Sequence, residues 1–92
     1  MKVSIEIIGY VTTMTNGDKH AEVEMPGESA VMGDILVELG KRYGEKFNTL
    51  VIDKNNRVIN AVAMMGGKII GYETIIPDGA KTQLTVIMDG GC

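Results

Sequence analysis

Ninety-two residues suffice for one hydrophobic core and leave no room for a second domain of ordinary size. With 45% apolar and 23% charged residues the chain is too hydrophobic for a disordered tail and too interrupted by charge for a membrane span. The net charge of −3 comes without a basic cluster, Lys41-Arg42 being the only adjacent basic pair, which sets nucleic acid aside as the main partner. The only cysteine is Cys92, so neither an internal disulfide nor a multi-cysteine metal or iron–sulfur site can form. Glu6 falls where a signal peptide needs an unbroken apolar stretch, and a cytoplasmic location with no membrane attachment is expected. There is no Trp and only one Phe, so the core must be built from aliphatic side chains and some of the seven Met.

Val3, Ile5 and Ile7 alternate with Lys2, Ser4 and Glu6, the period of a strand with one buried face, and residues 2–10 are assigned to the first strand. Thr15-Asn16-Gly17-Asp18 is a turn signal, and Ala21 to Met25 supplies a second strand that closes an N-terminal hairpin. After Pro26-Gly27-Glu28, Ser29 is assigned as a helix N-cap. Met32, Ile35, Leu36, Leu39 and Tyr43 then line one helical stripe, and Gly44 ends the helix in a left-handed conformation. Gly33 and Gly40 inside it each cost about 1 kcal/mol relative to Ala, which packing has to offset. Phe47 to Ile52 is an apolar segment of open type, Asp53-Lys54-Asn55-Asn56 a turn, and Arg57 to Met65 a strand. Gly66-Gly67 turns that strand into Lys68-Ile69-Ile70. Pro77-Asp78-Gly79 is a further turn before the closing strand, in which Leu84, Val86 and Met88 alternate. The order points to an α+β roll with one main helix across a mixed sheet, in which Ile35, Leu36 and Leu39 pack against Val3, Ile5, Val62 and Val86.

Ala61-Val62-Ala63-Met64-Met65-Gly66-Gly67, then Thr74-Ile75-Ile76-Pro77-Asp78-Gly79, then a strand and Gly90-Gly91, form an ordered set of motifs. In order and spacing the set resembles the ubiquitin-like sulfur carriers: the small subunit of molybdopterin synthase and the carrier for thiamine thiazole synthesis. The resemblance covers nearly the whole chain and implies a β-grasp domain over residues 1–88 with a flexible tail at 89–92. It departs from that family at Val86 and Ile87, where prolines often stand, and at Cys92, which lies beyond the glycines. On the open face of the sheet, where relatives often show apolar side chains to their activating enzyme, Glu6 and Thr85 are expected to point outward.

The resemblance also implies the chemistry. A partner adenylating enzyme of the ubiquitin-activating type, using ATP, would activate the carboxylate of Gly91, and a sulfur nucleophile would then leave a C-terminal thiocarboxylate for a sulfur-acceptor synthase. Gly90 and Gly91 suit a narrow channel because they carry no Cβ. Cys92 would first be removed, by a zinc protease of the deubiquitinase type, or would itself be a functional thiol. The chain would be a protein substrate and not an enzyme, binding no cofactor or metal of its own. A protein modifier joined to lysines through Gly91 uses the same activated carboxyl, and a binding module that is never activated is a third reading. His20 has no companion at metal-ligand spacing, and Gly40-Lys41 and Gly67-Lys68 lack the Ser or Thr of a phosphate-binding loop.

Overall fold

In the computed structural model, which describes residues 1–86, alternation of Val3, Ile5 and Ile7 does produce a strand buried on one face. The elements in chain order are β1 (Lys2–Ile8), a 3-10 helix (Gly9–Met14), β2 (His20–Glu24), β3 (Ser29–Val31), α1 (Met32–Tyr43), α2 (Glu45–Val51), β4 (Ile52–Asp53), β5 (Val58–Ile59), β6 (Val62–Met65), β7 (Lys68–Ile70), β8 (Ile75–Pro77) and β9 (Lys81–Thr85). The main sheet has the order β2-β1-β9-β6-β7. Its hairpins β1–β2 and β6–β7 are antiparallel, as is β6–β9, and β1 and β9 run parallel at its centre. This is the expected β-grasp roll, a mixed sheet with one main helix across it. Two-stranded pairs β3–β8 and β4–β5 flank it.

The helical stripe packs as its spacing requires: Met32, Ile35, Leu36 and Leu39 are fully buried against Val3, Ile5, Ala63 and Leu84 from the sheet. Burial of Ile35, Leu36 and Leu39 contributes on the order of 2 kcal/mol each. Gly33 and Gly40 prove to be packing residues as much as a propensity cost. A Cβ on Gly33 would run into the ring of Tyr72, and one on Gly40 into the side-chain amide of Asn48, so these glycines let the 71–74 segment and α2 lie directly on α1. Gly44 ends α1 at φ 97°, positive as expected but with extended ψ, not in the left-handed helical region, and its N–H reaches Gly40 O at 2.7 Å.

Four assignments change, and the segment of open type acquires a structure. The first strand stops at Ile8 because Gly9, at φ 75°, turns the chain into the 3-10 helix, which Thr12 and Thr13 tie down by donating to Gly9 O and Tyr10 O at 2.8 Å. Ser29 is not an N-cap. It belongs to β3, opposite Pro77, and the orphan N–H groups of Met32 and Gly33 instead donate to Thr74 O and Tyr72 O at 2.8 Å. The open segment from Phe47 is helical, with Phe47 and Val51 buried. The strand expected over 57–65 is two strands, because Asn60 N–H donates to Val51 O while Val62 joins β9, so the pairing partner changes between them. Val62 faces outward, and its neighbour Ala63 takes the core position. Val86 does pack against the core, at its margin.

Arg57, with φ 54°, holds the β4–β5 turn against the 71–74 segment. Its guanidinium grips Glu73 through two nitrogens, Nη2 to Oε1 at 2.9 Å, and lies 4.7 Å from the centre of the Tyr72 ring. Hydrogen bonds from Arg57 hold the Glu73 carboxyl below the usual carboxylate range. Stability from this pair is therefore complete above the unfolded-state pKa of Glu73 and is lost as pH falls through the lower folded value. Glu73→Gln should show a shallower fall of the thermal midpoint on acidification than the wild type, most visibly at low salt because the pair is exposed. Parallel curves would exclude the pair as a source of acid sensitivity. Gly33→Ala, although it raises helix propensity, should cost on the order of 1–3 kcal/mol in urea unfolding through the clash with Tyr72. A stabilised variant would show that the ring moves freely. Ile35→Asp should abolish cooperative unfolding, since an unpaired carboxylate replaces a fully buried side chain, and a midpoint equal to that of the wild type would contradict the packing.

Candidate functional site

Gly90, Gly91 and Cys92, with the rest of the tail at 89–92, lie outside the described residues, as does Met88. The structure does describe the strand that leads toward them. β9 is paired on both sides, to β1 from Ser4–Lys81 through Ile8–Thr85 and to β6 from Val62–Thr85 through Met65–Thr82. Leu84 is fully buried, and the buried Thr82 hydroxyl donates to Ser4 O at 3.1 Å. A terminus carried by this strand is fixed in place at least as far as Thr85. The parallel β1 ends beside it, and Gly9 makes the bend there. A Cβ on Gly9 would stand 3.5 Å from Thr85 Oγ1, and the positive φ would strain any other residue.

The helix covers one face of the main sheet, the other is left open by the described residues, and the register sets out its side chains in rows. One row runs His20, Glu6, Gln83, Met64, Ile69 across all five strands. The row nearer the end of β9 is Ile8, Thr85, Val62, and the row on the far side is Glu22, Ser4, Lys81. Glu6 and Thr85 point outward as expected. The apolar side chains gather on the β6–β7 side and at the end of β9, where Ile69 is 75% and Ile8 40% exposed. Met64 and Val62 lie half-buried between them, while Met65 packs toward the core. Ile75, at 66%, and Val58, at 46%, are exposed elsewhere on the domain, so exposure alone does not set this face apart; what distinguishes it is the run Val62, Met64 and Ile69 on adjacent strands.

The β1–β2 side is polar. Gln83 Nε2 donates to Glu6 Oε1 at 3.0 Å, and Lys2 lies 4.0 Å from Glu24. A shallow groove on this side is lined by Ser4, Glu6, His20, Lys81 and Gln83, with the Gly66-Gly67 turn at its edge. His20 is exposed and stands opposite Glu6. Among the described residues no His, Cys, Asp and Glu side chains gather in a group of three or more that could hold a metal ion. No helix among them is long and apolar enough to cross a membrane. Sequence reading passed over Gln83, Ile69 and Ile8. For Gln83 the signal was present, because assigning Leu84 inward puts Gln83 outward.

No protein-family model matches the chain. No curated protein matches it. Solved structures do match along almost its whole length. SAMP1 from Haloferax volcanii superposes with a TM-score of 0.79 at 15% identity, over 99% of this chain and 100% of that one. A chain of the Amycolatopsis orientalis BexX/CysO complex gives 0.74 at 17% identity, over 97% and 99%. A putative molybdopterin converting factor subunit 1 from Pyrococcus furiosus gives 0.75 at 20% identity, over 96% and 99%. The likeness is one of fold, and it spans the whole of each matched chain.

Gly9→Ala should lower stability by about 1 kcal/mol and speed amide exchange at Thr85, because the bend beside the end of β9 is strained. Unchanged exchange at Thr85 would show that the bend does not support the end of the strand.

Proposed function

We propose that this chain is a carrier protein whose Gly91 carboxylate is adenylated by a partner enzyme and converted to a thiocarboxylate for sulfur transfer. The observation that carries the reading is the position of β9: a fully paired central strand, beside an open face with exposed aliphatic groups, running toward Gly90-Gly91 five residues beyond Val86. From Val86 to Gly91 the covalent chain can span at most about 17 Å. A partner that grips the open face is thus within reach of the reacting carboxylate. Fold likeness to SAMP1, to the BexX/CysO complex and to a putative molybdopterin converting factor subunit 1 agrees with this reading.

In the activation step a carboxylate oxygen of Gly91 attacks the α-phosphorus of ATP bound to the partner, and pyrophosphate leaves. A hydrosulfide-equivalent nucleophile then adds to the acyl carbon, and AMP departs with the bonding electron pair. The chain contributes a positioned carboxyl group and glycines that admit close approach. Stabilisation of the developing charge belongs to the partner. A sulfur-acceptor synthase would receive the product. ATP is bound by the partner, the carrier holds no cofactor, and both act in the cytoplasm.

Cys92 has to leave first. With Cys92 in place the Gly91 carbonyl is locked in an amide, and any terminal carboxylate stands at least one residue, roughly 3.5 Å, farther along. Even an error near 1 Å costs about 100-fold in rate. A zinc protease would hydrolyse the Gly91–Cys92 bond. Chains ending at Gly91 and at Cys92 should therefore differ sharply in ATP–pyrophosphate exchange with the cognate adenylating enzyme. Only the former should gain the mass of one sulfur in place of one oxygen when a sulfur source is supplied. Equal exchange by both forms would contradict trimming, and no exchange by either would leave the binding-module reading in its place. One comparison favours a second reading: a neighbour is named small archaeal modifier protein 1. Lysine-linked conjugates through Gly91 in cells would support it.

A further inference from the structure

Given the carrier reading above, on which this step rests, the open face holds a feature that apolar docking alone does not accommodate. Glu6 sits on β1 near the middle of the five-stranded row, between His20 and Gln83. Its carboxylate accepts one side-chain hydrogen bond, from Gln83 Nε2 to Oε1. Among the described residues it makes no ion pair. Lys19 and Lys81 line the same groove as Glu6, Lys81 opposite Ser4 and two residues from Gln83 along β9, and neither forms an ion pair with it.

The dimensions of the face decide what happens when it is covered. Five strands about 4.8 Å apart and roughly five residues long give a projected area of about 300 Å². A stable interface covers about 800 Å² on each partner. A partner seated on the apolar groups Ile8, Met64 and Ile69 therefore also covers Glu6, which is two residues from Ile8 on the same strand and one strand beyond Gln83 from Met64. A desolvated carboxylate whose one side-chain hydrogen bond comes from a neutral donor is costly, Lys19 and Lys81 make no ion pair with it in the free chain, and a cation brought by the partner offsets that cost. We infer that the adenylating enzyme which recognises this chain presents a lysine or arginine to Glu6, set beside an apolar surface for Ile8, Met64 and Ile69. Gln83 orients the carboxylate, occupying Oε1 and leaving Oε2 for the incoming cation. Glu6 thus selects against activating enzymes whose docking surface is apolar throughout.

The test uses the adenylating enzymes of the source organism, each purified, with the full chain and with the chain ending at Gly91. The carrier variants are wild type, Glu6→Gln, Glu6→Lys and, as a control in the turn before β3, Glu28→Gln. ATP–pyrophosphate exchange is followed against carrier concentration at low and high salt. Glu6→Lys should raise the KM for the carrier by about tenfold or more with kcat little changed, and Glu6→Gln should raise it less. The KM of the wild type should climb with salt, and Glu6→Gln should lose part of that dependence. Glu28→Gln should match the wild type. All should melt at similar temperatures, because Glu6 is exposed in the free chain. If the wild type is activated and Glu6→Lys has the same KM, the cation contact is refuted while the carrier reading stands. If no adenylating enzyme of the organism activates the wild type in either form, the carrier reading falls and this inference falls with it.

Discussion

The pairing of residues 4–8 with residues 81–85 is the constraint on which the rest of the structure depends. It joins the two hairpins into one sheet, places Leu84 beneath α1 and brings the bend at Gly9 beside Thr85. The pairing is parallel and between segments far apart in sequence, so the intervening chain must supply a crossover, which α1 and the two small strand pairs provide. Loop closure over that distance costs entropy that a few hydrogen bonds do not offset. The compensation is apolar: Val3, Ile5, Ile7 and Leu84 share one core with Ile35, Leu36 and Leu39.

That arrangement also decides where chemistry can occur. A strand at the edge of the sheet would present its backbone to solvent along one side, whereas β9 has both sides occupied and can move little until the sheet itself opens. The open face around it is divided, aliphatic toward β6 and β7 and at Ile8 where β1 ends, and polar over the rest of β1 and β2. In the proposed carrier role such a face would supply position and recognition, with catalytic power residing in the partner. The division is where this chain differs from a uniformly apolar docking surface, and Glu6 with Gln83 lies on the boundary.

Much of the architecture could be read from periodicity. Alternation placed Val3, Ile5, Ile7 and Leu84 inward, and spacing along Met32, Ile35, Leu36 and Leu39 identified α1. Local signals failed where tertiary pairing overrode them. Ser29 has the chemistry of an N-cap, yet the carbonyls of Tyr72 and Thr74 satisfy the first turn of α1, and no window around Ser29 contains that information. Val62 and Ala63 could not be ranked by hydrophobicity, because register against Leu84 and Thr85 determines which of them enters the core. The glycines of α1 read as a propensity cost, and only the positions of Tyr72 and Asn48 reveal them as contact points. At the candidate site, Glu6 and Thr85 were legible as outward residues, whereas the exposure of Ile69 follows from its place on an edge strand with no element above it among the described residues.

In the proposed role Gly91, and not Cys92, is the working end of the molecule. Intact-mass analysis and C-terminal peptide sequencing of the protein isolated from its own cells tests this most directly. A carrier activated at Gly91 should show a population that ends at Gly91, part of it with one carboxyl oxygen replaced by sulfur. A population that ends only at Cys92 with an ordinary carboxylate would contradict it.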